Sequence, residues 1–116
     1  MSNKLDMCLV DDSGIILLSV PVGVREHAEL MSSVKAFGGC ELLQKMEDYY
    51  EDAKYQPAEV RGLHDELQRL MNYVSMGSYS LKQMGVIQEF LGLLFVLKCL
   101  CAEAERKQLA LETRAV

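Results

Sequence analysis

Hydrophobic and polar positions divide the chain into two regimes. Leu5 to Val10 is apolar-rich and alternates imperfectly, and Ile15 to Val22 is rich in β-branched and apolar residues up to Pro21 and Gly23. Between them lies Asp11-Asp12-Ser13-Gly14, in which Asp and Ser side chains can bond their own backbone and Gly accepts a positive φ. The two runs predict a β-hairpin over about 4–22. A two-stranded hairpin is marginal in water, so it must lie on helices or pair with a further strand.

Beyond Val24 the period changes to that of a helix. Ala28, Met31 and Val34 predict a helix over about 25–37, stopped by Gly38-Gly39. Leu42, Leu43, Met46, Tyr49, Tyr50 and Ala53 follow at spacings of three and four, which predicts a second helix over about 40–54. Gln56-Pro57 breaks the pattern, and Pro57 suits the first position of a new helix with Glu59 in its first turn. Val60, Leu63, Leu67, Leu70 and Val74 then predict a helix over 57–75. Ser75 to Tyr79 is a loop, and Ser80 with Gln83 forms a capping box that opens a last helix over about 81–112. From Phe90 to Cys101 that helix is apolar almost all round, as expected of the central helix of a core. Gly85 and Gly92 are seven apart on nearly one face, which suits close approach by another element or a kink. The expected architecture is one α+β domain over 1–116, an N-terminal β-hairpin followed by a bundle of about four helices.

Composition narrows the function. A chain of 116 residues with half of them apolar suits one compact domain. Its net charge of −5 argues against wrapping nucleic acid, because phosphate contacts need Lys and Arg. Met1 to Asp6 is polar and unlike a signal peptide, and the uncharged stretch Phe90–Leu97 is far short of the roughly 20 residues that span a bilayer. The expectation is a cytoplasmic protein with no nucleic-acid or membrane partner.

Cys8, Cys40, Cys99 and Cys101 each sit in apolar surroundings and read as small buried side chains in a reducing compartment. Cys99 and Cys101 would lie about 200° apart on a helix, which does not suit one metal or one bridge. His27 and His64 have no Cys or His at ligand spacing, so neither metal nor cofactor is expected. There is no glycine-rich phosphate loop and no nucleophile elbow. No catalytic residue is assigned, and the chain reads as a non-enzyme.

The charge is local. From Glu41 to Glu66 there are 8 acids and 3 bases, an excess of 8 − 3 = 5, while the remainder holds 9 of each. Glu47 with Glu51, and Asp48 with Asp52, would be like-charge pairs four apart on a helix, each costing about 0.2–0.5 kcal/mol. Tyr49, Tyr50 and Tyr55 are interleaved with these acids. One reading is a binding face, on which tyrosines anchor and acids steer a basic partner. The other is a solvated helix face whose tyrosines cover the core.

Tyr49-Tyr50-Glu51-Asp52, then Tyr55-Gln56-Pro57-Ala58-Glu59-Val60, then Leu63 and Glu66-Leu67 with Leu70, together with the acidic-Gly turn at Asp11 to Gly14, resemble a pattern in small acidic bacterial immunity-type proteins. The resemblance implies a non-catalytic cytoplasmic protein that binds and neutralises a cognate toxin, such as a basic nuclease, as a monomer or homodimer. It transfers no toxin-binding residue. The candidate partner-binding residues come from the charge pattern: Glu47, Asp48, Tyr49, Tyr50, Glu51, Asp52 and Tyr55. Two alternatives stand beside it. One is a secretion chaperone or adaptor that binds an extended cargo segment at the hairpin edge. The other is a small-molecule enzyme or sensor with a pocket between the last helix and the hairpin.

Overall fold

A computed structural model describes residues 5–49 and 51–115. The chain is α+β. Its elements are β1 (Leu5–Val10), β2 (Ile16–Val22), α1 (Val24–Phe37), α2 (Glu41–Gln44), β3 (Lys54–Tyr55), α3 (Pro57–Ser75), α4 (Leu81–Lys107) and β4 (Ala110–Ala115).

The hairpin forms where the sequence places it. The Asp11 carboxylate accepts from the backbone N–H of Ser13 and Ile15 at 2.8 and 2.9 Å, and Gly14 takes φ 81°. α1 ends at Gly38 and Gly39, with φ of 77° and 70°. α3 begins at Pro57, and the Glu59 side chain accepts from the Gln56 N–H at 2.9 Å. At α4 the Gln83 side chain accepts from the Ser80 N–H at 2.8 Å, the reciprocal contact of a capping box.

Two expected helical stretches are not helix. The stretch 40–54 is helical only at Glu41–Gln44, continues as turns, and ends in the short strand β3. Its three-and-four spacing of apolar residues is real, since Leu43, Met46, Tyr49 and Ala53 are buried. An irregular segment meets the core at the same intervals, and the like-charge pairs work against continuing the helix. The last helix stops at Lys107 rather than near 112. Gln108 adopts the left-handed conformation at φ 57° and turns the chain into β4. Ala110 to Ala115 contains good helix formers, but its burial alternates, with Leu111 and Thr113 inward. Pairing with β1 overrides local propensity there.

β4 completes an antiparallel sheet of order β2-β1-β4-β3. Leu9 lies between Leu18 and Leu111, Met7 between Val20 and Thr113, and Leu5 between Val22 and Ala115. The hairpin therefore gains a third strand as well as a helical layer, the support it needs to be stable. The core lies between this face and the helices, where Leu5, Met7, Leu9 and Leu111 join Leu63, Leu67, Leu70, Leu94 and Leu97. Arg61 and His64 of α3 both approach Glu105 of α4 at 3.7 Å along the outer seam between these helices.

At the far edge, Thr113 exchanges bonds with Ala53. Its N–H donates to the Ala53 carbonyl at 2.8 Å, and its Oγ1 accepts from the Ala53 N–H at 2.7 Å. Thr113 is fully buried. Thr113→Val keeps the shape and strips the Ala53 N–H of its acceptor, so unfolding free energy should fall by about 1–3 kcal/mol. Denaturant titration of the two proteins checks this.

Candidate functional site

The acidic segment is held from inside. Glu66, on the inner face of α3, is 6% exposed, and its two carboxylate oxygens accept from the backbone N–H of Leu42 at 3.1 Å and Leu43 at 2.9 Å. These are orphan donors of the first turn of α2. The Tyr55 hydroxyl donates to the Leu42 carbonyl at 2.7 Å, tying β3 to the same turn. The His27 ring N–H donates to the Met46 carbonyl at 2.5 Å, and the Tyr49 hydroxyl donates to the Val22 carbonyl at 3.1 Å. His27 and Tyr49 also meet edge to face, with ring centroids 5.0 Å apart. Gly62 lets this segment sit close to α3, since a Cβ there would lie 2.8 Å from the Leu42 side chain.

Tyr49 and Tyr55 are therefore not surface anchors. Tyr55 is fully buried and Tyr49 nearly so, and burial, followed by the Glu66 charge, pushes the Tyr55 hydroxyl far above its ordinary range. Tyr50 lies outside the described residues. Glu47, Asp48, Glu51 and Asp52 are exposed. These acids also have structural partners: Glu47 faces Lys35 at 3.6 Å, and an Asp52 carboxylate oxygen accepts from the Ala115 N–H at 3.2 Å. Lys45, Glu47, Asp48, Tyr49 and Glu51 line an open hollow of about 650 Å³. The Lys45 ammonium closes one end, donating to the Lys54 carbonyl and to Glu59 at 3.3 Å and lying 4.7 Å from the centroid of the Tyr55 ring. The segment thus presents carboxylates outward from a turn whose Leu43, Met46, Tyr49 and Ala53 side chains are buried.

A second surface lies at the hairpin edge and between the hairpin and the last helix, where the two alternative readings place theirs. β2 is an edge strand, and Ile16, Leu17 and Leu18 on it are 44–49% exposed. Beside it α4 exposes Phe95, Val96 and Cys99. A shallow groove of about 290 Å³ runs between them, lined mainly by Leu18, Val20, Val96, Cys99 and Leu100. Cys99 is thus exposed, against the expectation that all four thiols are buried. Cys8, Cys40 and Cys101 are buried, and burial raises each of these thiols, that of Cys101 to about 12. α4 is not wholly central either. Its all-round apolar stretch buries Phe90, Leu94, Leu97, Leu100 and Cys101 and leaves the opposite side in solvent. The signal was in the sequence, since a helix apolar on every side has more apolar surface than one small core can cover. Among the described residues no group of three or more His, Cys, Asp or Glu is placed to hold a metal.

Glu66→Ala should lower unfolding free energy by about 1–3 kcal/mol for each donor left bare, and Glu66→Gln by less, because the amide oxygen still accepts. Amide exchange at Leu42 and Leu43 should quicken in both. The Glu59 carboxyl is held below its ordinary range, first by the Gln56 N–H and then by Lys45. The stability it lends is therefore complete above the ordinary carboxylate range and is lost as pH falls through its lowered folded value. Glu59→Gln should be less stable than the native protein near neutrality and converge with it below that value, as thermal melts across an acid series would show. In comparisons the chain matches no protein-family model, no curated protein and no solved structure.

Proposed function

We propose that this chain is a non-catalytic cytoplasmic capture module that binds and neutralises a basic protein toxin, such as a nuclease, through the exposed acids Glu47, Asp48, Glu51 and Asp52. The observation that carries this reading is a locally concentrated negative surface on a turn anchored from within by Glu66, Tyr49, Tyr55, His27 and Thr113. A surface held in place before binding loses little conformational freedom on association, and like-signed carboxylates accelerate encounter with a basic protein. With Tyr49 and Tyr55 in the core, the acids and the backbone of the turn make the contact. The likeness of the Tyr49–Leu70 pattern to immunity-type proteins agrees with this role.

A second reading rests on the edge strand. Exposed Ile16, Leu17 and Leu18 on β2 suit an adaptor that receives an extended cargo segment. Pro21 opposes it in part, because it leaves the free edge without one donor.

Titration calorimetry with the folded basic product of the neighbouring gene tests the first reading, and an unfolded peptide from the same protein tests the second. Capture of the folded protein alone supports toxin binding, and capture of the peptide alone overturns it. Replacing Glu47 and Glu51 by Gln and Asp48 by Asn, with Asp52 kept for its bond to Ala115, should slow association by about tenfold or more at low salt, and the difference should shrink as salt rises. An unchanged rate would exclude this turn as the steering surface.

A further inference from the structure

α4 has two apolar faces and the chain covers one of them. On the uncovered side Leu81, Gly85, Gln88, Gly92, Phe95 and Cys99 succeed one another at intervals of four and three, the spacing of a coiled-coil seam. All are exposed, Leu81 at 94% and Phe95 at 54%. A Cβ at Gly85 or Gly92 would meet nothing within 4 Å, so neither glycine serves a close approach inside this chain. Each nevertheless costs a helix about 1 kcal/mol relative to Ala.

We propose that this face packs antiparallel against the same face of a second copy, with the two-fold axis between Leu93 and Leu94. In that register the seam's one aromatic ring meets a residue without a side chain. Phe95 of each copy lies over Gly92 of the other, Gly85 faces Ala102, and Gln88 faces Cys99. Gly92 becomes the hole that receives the partner's ring, and Gly85 opposite Ala102 allows the helices to approach. Charge fits the same direction. Lys82, Glu89, Val96 and Glu103 lie seven apart along one flank of the seam. Antiparallel pairing brings Lys82 to Glu103 of the second copy and Glu89 to Val96. The contacts of Glu103 with Arg106 and Lys107 in its own helix are solvent-exposed and readily shared.

The groove between β2 and α4 extends the apolar surface beyond Phe95, at Val96 and Leu100. The seam supplies about ten residues from each copy, about half of a standard stable interface, the size of a weak dimer. A bilayer fits the face less well. α4 is long and apolar enough to cross one by length and composition, with a mean hydropathy of 1.8. Yet Leu94, Leu97 and Cys101 on its inner side are buried in the core, and entry into lipid would strip them from it.

Sedimentation equilibrium over a concentration series reads the proposal, and a monomer–dimer equilibrium is expected. Gly92→Leu fills the space that Phe95 of the second copy needs and enters open solvent in the monomer. It should keep or raise the melting temperature of dilute protein while weakening the dimer at least tenfold. Lys82→Glu should weaken the dimer, and Lys82→Glu with Glu103→Lys should restore it. Under mild oxidation Gln88→Cys should yield a dimer linked from position 88 to Cys99 of the second copy. The unaltered protein should not, because the two Cys99 residues would lie about 16 Å apart along the axis. A monomer at every concentration, a Cys99–Cys99 link in the unaltered protein, or binding to phosphatidylglycerol vesicles without self-association would each overturn the proposal.

Discussion

The Glu66 carboxylate is the contact on which the middle of the molecule depends. α3 could have carried an apolar residue at that inward position, as it does at Leu63, Leu67 and Leu70. Instead it places a charge that takes the backbone donors of Leu42 and Leu43. A helix of one turn has almost no internal stability, since its nucleation is unfavourable and its first donors are all orphans. With the carboxylate in place α2 can exist where it does. From it the chain is led past His27, Tyr49 and Tyr55 to Ala53, and so to Thr113 at the heart of β4. Among the described residues no buried side-chain nitrogen or oxygen lacks a partner, so this polar interior is fully satisfied and specifies one path for the loop.

That dependence explains what the sequence could and could not reveal. The Asp11–Gly14 turn, the stop at Gly38-Gly39, and the starts at Pro57 and Ser80 are local chemistry, and each could be placed from a few residues. α3 was legible because its inward positions repeat at the helical period without exception. The segment 40–54 was not. Its buried residues repeat at the same period, but they are anchored one by one to α1, α3 and β4 rather than to a helix axis. In the sequence Glu66 counts as one more acid of the charged segment, because sequence cannot show that a carboxylate has donors awaiting it inside. β4 escaped for a related reason. Ala110-Leu111-Glu112 continues a helical composition, and only the ladder to β1 makes it a strand. Of the candidate site, the exposure of Glu47, Asp48, Glu51 and Asp52 was legible from the charge pattern, and the burial of Tyr49 and Tyr55 was not.

The same segment shows how a buried cause produces a surface property. Glu47, Asp48, Glu51 and Asp52 repel one another, and a free loop would spread them apart. Here the backbone between them is fixed by side chains pointing the other way. The repulsion is retained in the folded state as a concentrated field, and a basic partner would relieve it. Stability and the capacity to attract a partner are thereby opposed at the acids and reconciled by the interior bonds at Glu66 and Thr113.

α4 carries the opposite arrangement, an apolar surface where the interior has no room left. A sheet of four strands and the helix α3 cover only one side of a 27-residue helix. A solvated helix gains from Lys, Glu and Gln on its outer side, yet this one holds Leu81, Phe95 and Val96 there. Gly85 and Gly92, in the middle of the same face, weaken it further as an isolated element. Neither choice improves the isolated domain. Both become favourable when a second surface removes the apolar groups from water and the glycines let it come close. The physical logic therefore divides the molecule's surfaces. On the proposed function a charged turn held from within would attract a basic partner from a distance, and an apolar helix face with bare glycines would recognise a second copy only at contact.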